Sequence, residues 1–307
     1  MPSVHKLKQD VFFRGRVTPA GRRLLNAAVV LSQPVEWYSR RRAAVRYNER
    51  FPSARMRPDE GYAMLPAGTL PGTADVVDAC RRIFAAKRPL LDAPVAKGQG
   101  KRGGKGSFLK NVLNDEDVNA NPSLVDFALS DALFSIVTNY LGIVPTLNRV
   151  DLIYSIARPT PGDYISSQLY HQDHEGVRQA KVFLNVFDIG DEHGPFTFIP
   201  AGESERVLPA IRRQRSEAGL PHVGHYRDEE IEAHGGLAKE IRSVGPAGTA
   251  VVVDTSRCLH SGSRIQPGHI RLCLFLQYCT TRERANVIDP TRFKNDPIRL
   301  MALKRFA

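Results

Sequence analysis

Gly248-Thr-Ala-Val-Val-Val-Asp254, Leu259-His260-Ser261-Gly262-Ser263 and Ile270-Arg-Leu-Cys-Leu-Phe-Leu-Gln-Tyr-Cys279 are consecutive stretches that decide the fold. The first and third are apolar runs of strand length, rich in Val or in Leu with aromatics. The segments between them carry Gly, Ser and Pro, the punctuation of neighbouring strands. Towards the N-terminus, similar short runs recur at residues 152–157, 164–171, 181–189, 196–200 and 241–244, each set off by Gly or Pro. Together they predict an α+β, mainly β chain: a sandwich or barrel carrying helices on its outside. Helical spacing dominates before about residue 142. Val76, Val77, Cys80, Ile83 and Phe84 mark one face of a helix over 74–87. Val125, Leu129, Leu133, Ile136, Val137 and Leu141 mark a second, with Asn121-Pro122-Ser123 as its start and Gly142 as its stop.

The 307 residues allow one large domain. Its expected organisation is a basic N-terminal extension over 1–50, a helical region over 51–145, a β core over 146–285 and a tail over 286–307. No stretch approaches the roughly 20 uninterrupted apolar residues of a membrane span, so no transmembrane segment is expected. Cys80, Cys258, Cys273 and Cys279 form no CxxC pair and read as free thiols in a reducing compartment, which implies a cytoplasmic location. Arg22-Arg23 before an apolar run resembles a twin-arginine signal. Yet the run is short, is broken by Asn26 and reaches Glu36 and Trp37 without a small-residue cleavage site, so export is not expected.

The net charge of +11 is unevenly placed, because Lys6, Lys8, Arg14, Arg16, Arg22, Arg23, Arg40, Arg41, Arg42, Arg46 and Arg50 face only Asp10, Glu36 and Glu49 in the first fifty positions. Such a segment suits an anionic partner or is simply a solvated basic face; nucleic acid is not the expected partner. The Gly- and Lys-rich run at 97–107 fails the phosphate-loop register: Lys105 precedes Gly106, not Ser or Thr, and no strand leads into it. It reads as a mobile basic loop. The polar segment 203–240 reads as a long insertion loop, and its His222, His225 and His234 match no zinc spacing.

Chemistry enters at Tyr170-His171-Gln172-Asp173. Residues i and i+2 of a strand share a face, so His171 and Asp173 project together. An imidazole and a carboxylate side by side need one more histidine to form a two-His-one-carboxylate facial triad for a divalent metal. His174 has the wrong parity. An HxD match alone has little weight. His260, just past the strand ending at Asp254, supplies the missing ligand at the mouth of a barrel. Arg271, embedded in the most apolar strand, requires an anionic partner. A guanidinium takes a carboxylate in a bidentate fork, and the dicarboxylate that chelates a facial-triad iron and needs a distal cation is 2-oxoglutarate.

These residues, with Gly194-Pro-Phe-Thr-Phe-Ile-Pro-Ala-Gly202, resemble the phytanoyl-CoA dioxygenase-like family of iron(II)/2-oxoglutarate oxygenases over about residues 105–282. The resemblance implies a double-stranded β-helix (jelly roll) with an N-terminal helical region packed outside it. It implies Fe(2+) held by His171, Asp173 and His260, and 2-oxoglutarate as co-substrate with its distal carboxylate on Arg271. Lys110, in Phe108-Leu-Lys-Asn-Val112, and Asn185 match further co-substrate-lining positions. Gly262 stands where relatives can offer a serine hydroxyl, with Ser261 and Ser263 as substitutes. The expected reaction is a hydroxylation or related oxidation of a small-molecule substrate by dioxygen, since Asp173 occupies the position that halogenating relatives leave to a small residue. The alternatives are a non-catalytic jelly-roll binding protein whose basic N-terminus grips a polyanion, and a zinc or manganese enzyme on the same fold.

Overall fold

The computed structural model describes residues 19–93, 105–158, 163–173, 178–221, 223–280 and 286–304. Residues 97–104 of the Gly- and Lys-rich run, His174, His222 and residues 1–18 of the basic segment lie outside them. Among the described residues the strands are β1 (Tyr62–Leu65), β2 (Leu109–Asn111), β3 (Thr146–Ile156), β4 (Tyr170–His171), β5 (Gln179–Asn185), β6 (Thr197–Ile199), β7 (His225–Tyr226), β8 (Ile241–Arg242), β9 (Ala250–Val253), β10 (Leu259–Ser261) and β11 (Ile270–Cys279). They form two sheets, β1-β9-β5-β11-β3-β2 and β7-β4-β10-β6-β8, and every pairing is antiparallel. The central order β9-β5-β11-β3 against β4-β10-β6-β8 is that of a double-stranded β-helix. The expected jelly roll is therefore present, with β1, β2 and β7 added at the edges.

Strand β11 shows why its sequence reads as one apolar run. Leu272, Leu274, Leu276 and Tyr278 share the large core cluster with the helices. The alternate residues Arg271, Phe275 and Gln277 instead line a cavity on the other face. Both faces are buried, so period-two alternation is written within buried residues, not between core and solvent. Strand β5 follows the same rule: Ala180, Val182 and Leu184 belong to the helix-side cluster, and Lys181 and Phe183 line the cavity.

The helices are α1 (Pro19–Ser32), α2 (Pro34–Arg50), α3 (Thr73–Asp92), α4 (Asp115–Ala120), α5 (Pro122–Ala128), α6 (Asp131–Leu141), α7 (Ala201–Glu217), α8 (Asp228–Glu232) and α9 (Pro297–Leu303). The helix expected over 74–87 runs on to Asp92, past Pro89, and its Phe84 ring lies 4.9 Å from Tyr154 on the sheet. The single helix expected after Asn121 is in fact α5 and α6, bent by 45°. Ser130 breaks it because its hydroxyl accepts from the Leu133 N–H and starts a new helix; Gly142 ends that helix at φ 66°. No single helix among the described residues is long and apolar enough to cross a membrane.

Three further expectations are corrected. Residues 203–240 are not a long loop: α7, β7 and α8 occupy much of them. Only Val207, Leu208 and Ile211 bury apolar side chains on α7 beyond its first residue, and Pro209 interrupts the stripe, so the helical period is faint. The strand expected over 164–171 shrinks to Tyr170–His171, because a 3-10 turn at Ser166–Gln168 precedes it with Ser166 at φ 51°. Strands β1 and β2 lie inside the region expected to be helical; four and three residues are too few to show a period.

Within the basic segment Arg40 is fully buried. Its guanidinium donates to the carbonyls of Val144 (3.2 Å) and Lys304 (2.8 Å) and to Glu36 (2.5 Å), tying α2 to the ends of β3 and α9. Arg41, Arg42, Arg46 and Arg50 are exposed. Arg40→Leu strands three acceptors and is expected to lower stability by about 3 kcal/mol, measured as a fall in the denaturation midpoint. Arg41→Leu is expected to leave that midpoint in place.

Candidate metal centre

His171 ends β4 and His260 sits at the middle of β10, and the two are direct cross-strand partners. Opposed residues on paired strands bring their Cβ atoms to about 5 Å, and here the imidazole centroids are 4.3 Å apart. Asp173 follows β4 by two residues, its backbone N–H fixed on the Thr255 carbonyl at 2.9 Å. Gln172 between them turns the other way and donates to the Arg257 carbonyl. Asp173 Oδ2 then lies 3.2 Å from His260 Nε2, and Oδ1 lies 3.8 Å from His171 Nε2. Three donors from two strands converge, as the sequence implied.

The second ring nitrogens decide what the first can do. His171 Nδ1 is 2.9 Å from the Leu169 carbonyl, and His260 Nδ1 is 3.1 Å from that of Cys258. A carbonyl only accepts, so each Nδ1 carries the proton and each Nε2 presents a bare lone pair towards Asp173. Burial pushes the His171 pKa down to about 3, so this ring is neutral at ordinary pH. Burial would raise the Asp173 carboxyl, but Lys181 Nζ at 2.6 Å holds it well below the usual carboxylate range. Two imidazoles and one carboxylate form the donor set of a borderline divalent metal such as iron(II), which leaves three coordination positions for other ligands.

The triad opens into a cavity of about 380 Å³, lined also by Lys181, Phe183, Phe196, Ser261, Ser263, Arg271, Phe275 and Gln277. Arg271 is buried, and burial lowers its pKa with no carboxylate among the described residues nearby to oppose it. Its Nη1 donates to the Gly194 carbonyl and its Nη2 to Ser263 Oγ at 3.0 Å. Gly194 is left-handed (φ 57°), and a Cβ there would lie 2.6 Å from the Arg264 backbone, so the carbonyl reaches Arg271 only because no side chain intervenes. Arg271 Nε, Ser167 Oγ and Ser261 Oγ are buried without a hydrogen-bond partner among the described residues. Such groups cost about 1–3 kcal/mol each when left unpaired. A carboxylate-bearing ligand in this cavity would satisfy them, so the residues fit both an iron(II) ion and a dicarboxylate.

Ser263 stands where the departure at Gly262 asked for a hydroxyl. It is held at φ 60°, and its Oγ contacts both Arg271 and Ser155 Oγ at 3.2 Å. Lys110 is not brought to the cavity. Its neighbours Leu109 and Asn111 line it, while the Lys110 ammonium, on the opposite parity of β2, donates to the Leu91 carbonyl. Asn185 is also absent from the lining: at the end of β5, its amide donates to the Ser243 carbonyl at 3.3 Å. His225 stacks on His171 with centroids 5.1 Å apart, whereas His234 contacts Gln214 on the surface. Sequence reading missed Lys181. Its signal was that of Arg271, a cation inside an apolar strand. Gln277 and Arg149, also in the lining, gave no such signal.

The four cysteines are buried free thiols. Burial raises Cys80 to about 12 and Cys273 to about 11, and Cys258 higher than usual as well. Iodoacetamide at pH 8 is expected to label none of them in the folded protein and all four after denaturation, counted by mass spectrometry.

No protein-family model matches the sequence, and no curated protein matches it. Solved structures to which the chain is similar include the epimerase SnoN in complex with Fe3+, alpha ketoglutarate and nogalamycin RO. That match has 17% identity and a TM-score of 0.46, and covers 78% of this chain and 87% of that one. EctD from S. alaskensis with 2-oxoglutarate and 5-hydroxyectoine has 18% identity and a TM-score of 0.46, with coverage of 76% and 78%. AviO1 from Streptomyces viridochromogenes Tue57 has 15% identity and a TM-score of 0.45, with coverage of 80% and 97%. The strand order and register given above, independently of these likenesses, define the fold.

Proposed function

We propose that this chain is an iron(II)- and 2-oxoglutarate-dependent oxygenase, similar to the phytanoyl-CoA dioxygenase-like family, that hydroxylates a small organic substrate. His171, Asp173 and His260 hold the iron, and Arg271 with Ser263 receives the distal carboxylate of 2-oxoglutarate. The observation that carries this reading is a buried guanidinium without a carboxylate partner among the described residues, in the same cavity as two bare Nε2 atoms and an ionised carboxylate. When bound, iron and 2-oxoglutarate would supply the oxidising chemistry with dioxygen, with succinate and carbon dioxide as the co-products expected.

The protein's own part is positional. The Leu169 and Cys258 carbonyls fix the tautomers of the two rings. Lys181 keeps Asp173 ionised and oriented before metal arrives. Gly194 and Ser263 aim the Arg271 fork, and the stacked Phe183 and Phe196, with centroids 3.9 Å apart, form an apolar wall that keeps water from the reacting centre. Lys110 and Asn185 have no part in this arrangement. With free thiols throughout the described residues, a reducing cytoplasmic setting fits.

The test is anaerobic reconstitution with ferrous iron, then 2-oxoglutarate, then air, with succinate measured across a panel of small organic candidates. One iron per chain and succinate release that rises with one candidate class are expected. No iron uptake, or iron without 2-oxoglutarate binding, would sink the proposal.

A further inference from the structure

A second cavity, of about 660 Å³, lies beside the one that holds the triad. Asn111 on β2 and Arg149 on β3 line both, so the two spaces meet across these side chains. We infer that the larger cavity takes a polyhydroxylated, sugar-like molecule, with Asn148 as the residue that selects it. That this molecule is the substrate rests on the oxygenase reading; that the cavity binds it does not.

Asn148 owes its place to a break in strand pairing. On β11, Gln277 faces Arg149 and the next residue, Tyr278, faces Leu147, so Asn148 is the extra residue of a β-bulge. Bulges re-aim side chains, and this one puts Asn148 in the cavity lining together with its neighbour Arg149. Asn286 holds the bulge: its N–H donates to the Asn148 carbonyl at 3.1 Å, and its Oδ1 accepts from the Val150 N–H at 2.7 Å. Asn148 is only 6% exposed. Its Nδ2 donates to Gln277 Oε1 at 3.1 Å, and its Oδ1 has no partner among the described residues. An amide atom buried in this way is costly to leave unpaired. A hydroxyl both donates and accepts, so it satisfies that atom whichever way the amide is turned. A carboxylate can only accept, and an ammonium can only donate.

The rest of the lining favours the same class. Eight of its ten residues are polar, Leu113 and Val150 being the exceptions. An acyl chain placed there would strip water from amides and carboxylates and offer them no hydrogen bond. Arg149 is the sole cation of this lining among the described residues. Asp151 holds it at 2.6 Å, and its guanidinium lies 5.6 Å over the Phe275 ring. Asp115 and Glu116 add two further carboxylates, so a phosphate or carboxylate ligand meets repulsion. Neutral hydroxyls meet acceptors in those carboxylates and donors in the Asn111 and Asn114 amides. The end of the molecule beside Asn111 and Arg149 would face the triad.

The experiment is saturation-transfer NMR on the full chain with ferrous iron and 2-oxoglutarate, kept free of air and titrated to give Kd. The probes are myo-inositol, trehalose and methyl β-D-glucoside, with palmitoyl-CoA, glutamate and putrescine as the acyl, anionic and cationic alternatives. At least one polyol is expected to bind. Asn148→Leu is expected to weaken that binding about tenfold, and Asn111→Ala, an exposed change that does not threaten folding, about threefold. Iron content and 2-oxoglutarate affinity should stay as in the unaltered chain, which a collapsed cavity would not allow. Once air is admitted, the bound polyol should raise succinate release, and Asn148→Leu should raise its KM more than it lowers kcat. No polyol bound, equal polyol binding in the unaltered chain and both variants, or binding of an alternative alone would overturn the inference. Polyol binding that depends on Asn148 but never yields succinate would sink the oxygenase reading and leave this site standing.

Discussion

Asp173→Ala protein is expected to hold less than about a tenth of an equivalent of ferrous iron where the unaltered chain holds one. Succinate release should fall by about 10³-fold or more. Loss of an outer partner of a metal ligand already costs 10–100-fold in affinity or activity, and loss of a ligand costs more. The same substitution has a second effect with a different origin. Lys181 Nζ lies 2.6 Å from Asp173 Oδ2, with its side chain only 5% exposed. Removing the carboxylate leaves a buried ammonium without that counter-ion, which costs about 3–5 kcal/mol. Adding Lys181→Met to Asp173→Ala is therefore expected to restore much of the lost Tm and none of the iron. Iron content and turnover both unchanged in Asp173→Ala would remove the residue from the metal centre.

The metal-free protein should also show the His171 ring in its acid stability. Its pKa is about 3 in the folded chain against an ordinary 6.5. Between those values the unfolded chain binds the proton and the folded chain does not, so this contribution is present above about pH 6.5 and is lost as pH falls towards 3. His171→Gln is expected to flatten that part of the stability profile, followed by denaturant midpoints at successive pH values.

Arg271→Ala is expected to weaken 2-oxoglutarate binding about 10²- to 10³-fold while iron content stays at one per chain. A buried charge-assisted fork to a carboxylate is worth roughly 3–4 kcal/mol, and each 1.4 kcal/mol is tenfold. The loss should appear in the co-substrate KM more than in kcat at saturation, and Arg271→Lys should recover only part of it, since an ammonium cannot reproduce the planar fork. Stability should move in the opposite sense. The guanidinium is buried with no carboxylate of the described residues beside it, so Arg271→Met is expected to raise the Tm of the ligand-free chain even as it destroys co-substrate binding. An unchanged 2-oxoglutarate requirement in Arg271→Ala would remove the reason for naming that co-substrate.

The candidate site was unevenly legible. His171 and Asp173 could be read together because period two is a property of the backbone, and the residue between them does turn away. Arg271 stood out because a charge in an apolar strand has few physical explanations. Lys181 met the same criterion in Gln179–Asn185 and was passed over. Lys110 was misplaced for want of one bit of information, the parity of β2, which three residues cannot supply. Asn185 has the parity of Lys181 and Phe183 but lies at the end of its strand, beyond the stretch that lines the cavity. Helix α7 went unseen because its buried stripe is narrow.

By itself the sequence determined the β-rich core and singled out His171, Asp173, His260 and Arg271 as the candidate site. Each follows from local alternation or from the cost of burying one charge, quantities that a single segment carries. Only the tertiary structure decided that His171 and His260 are cross-strand partners, that Lys181 answers Asp173, and that Gly194 and Ser263 aim the guanidinium. Those facts depend on register and on the approach of loops distant in the chain. The hydrogen-bonded pairing of whole strands sets both, and no short run of residues encodes it.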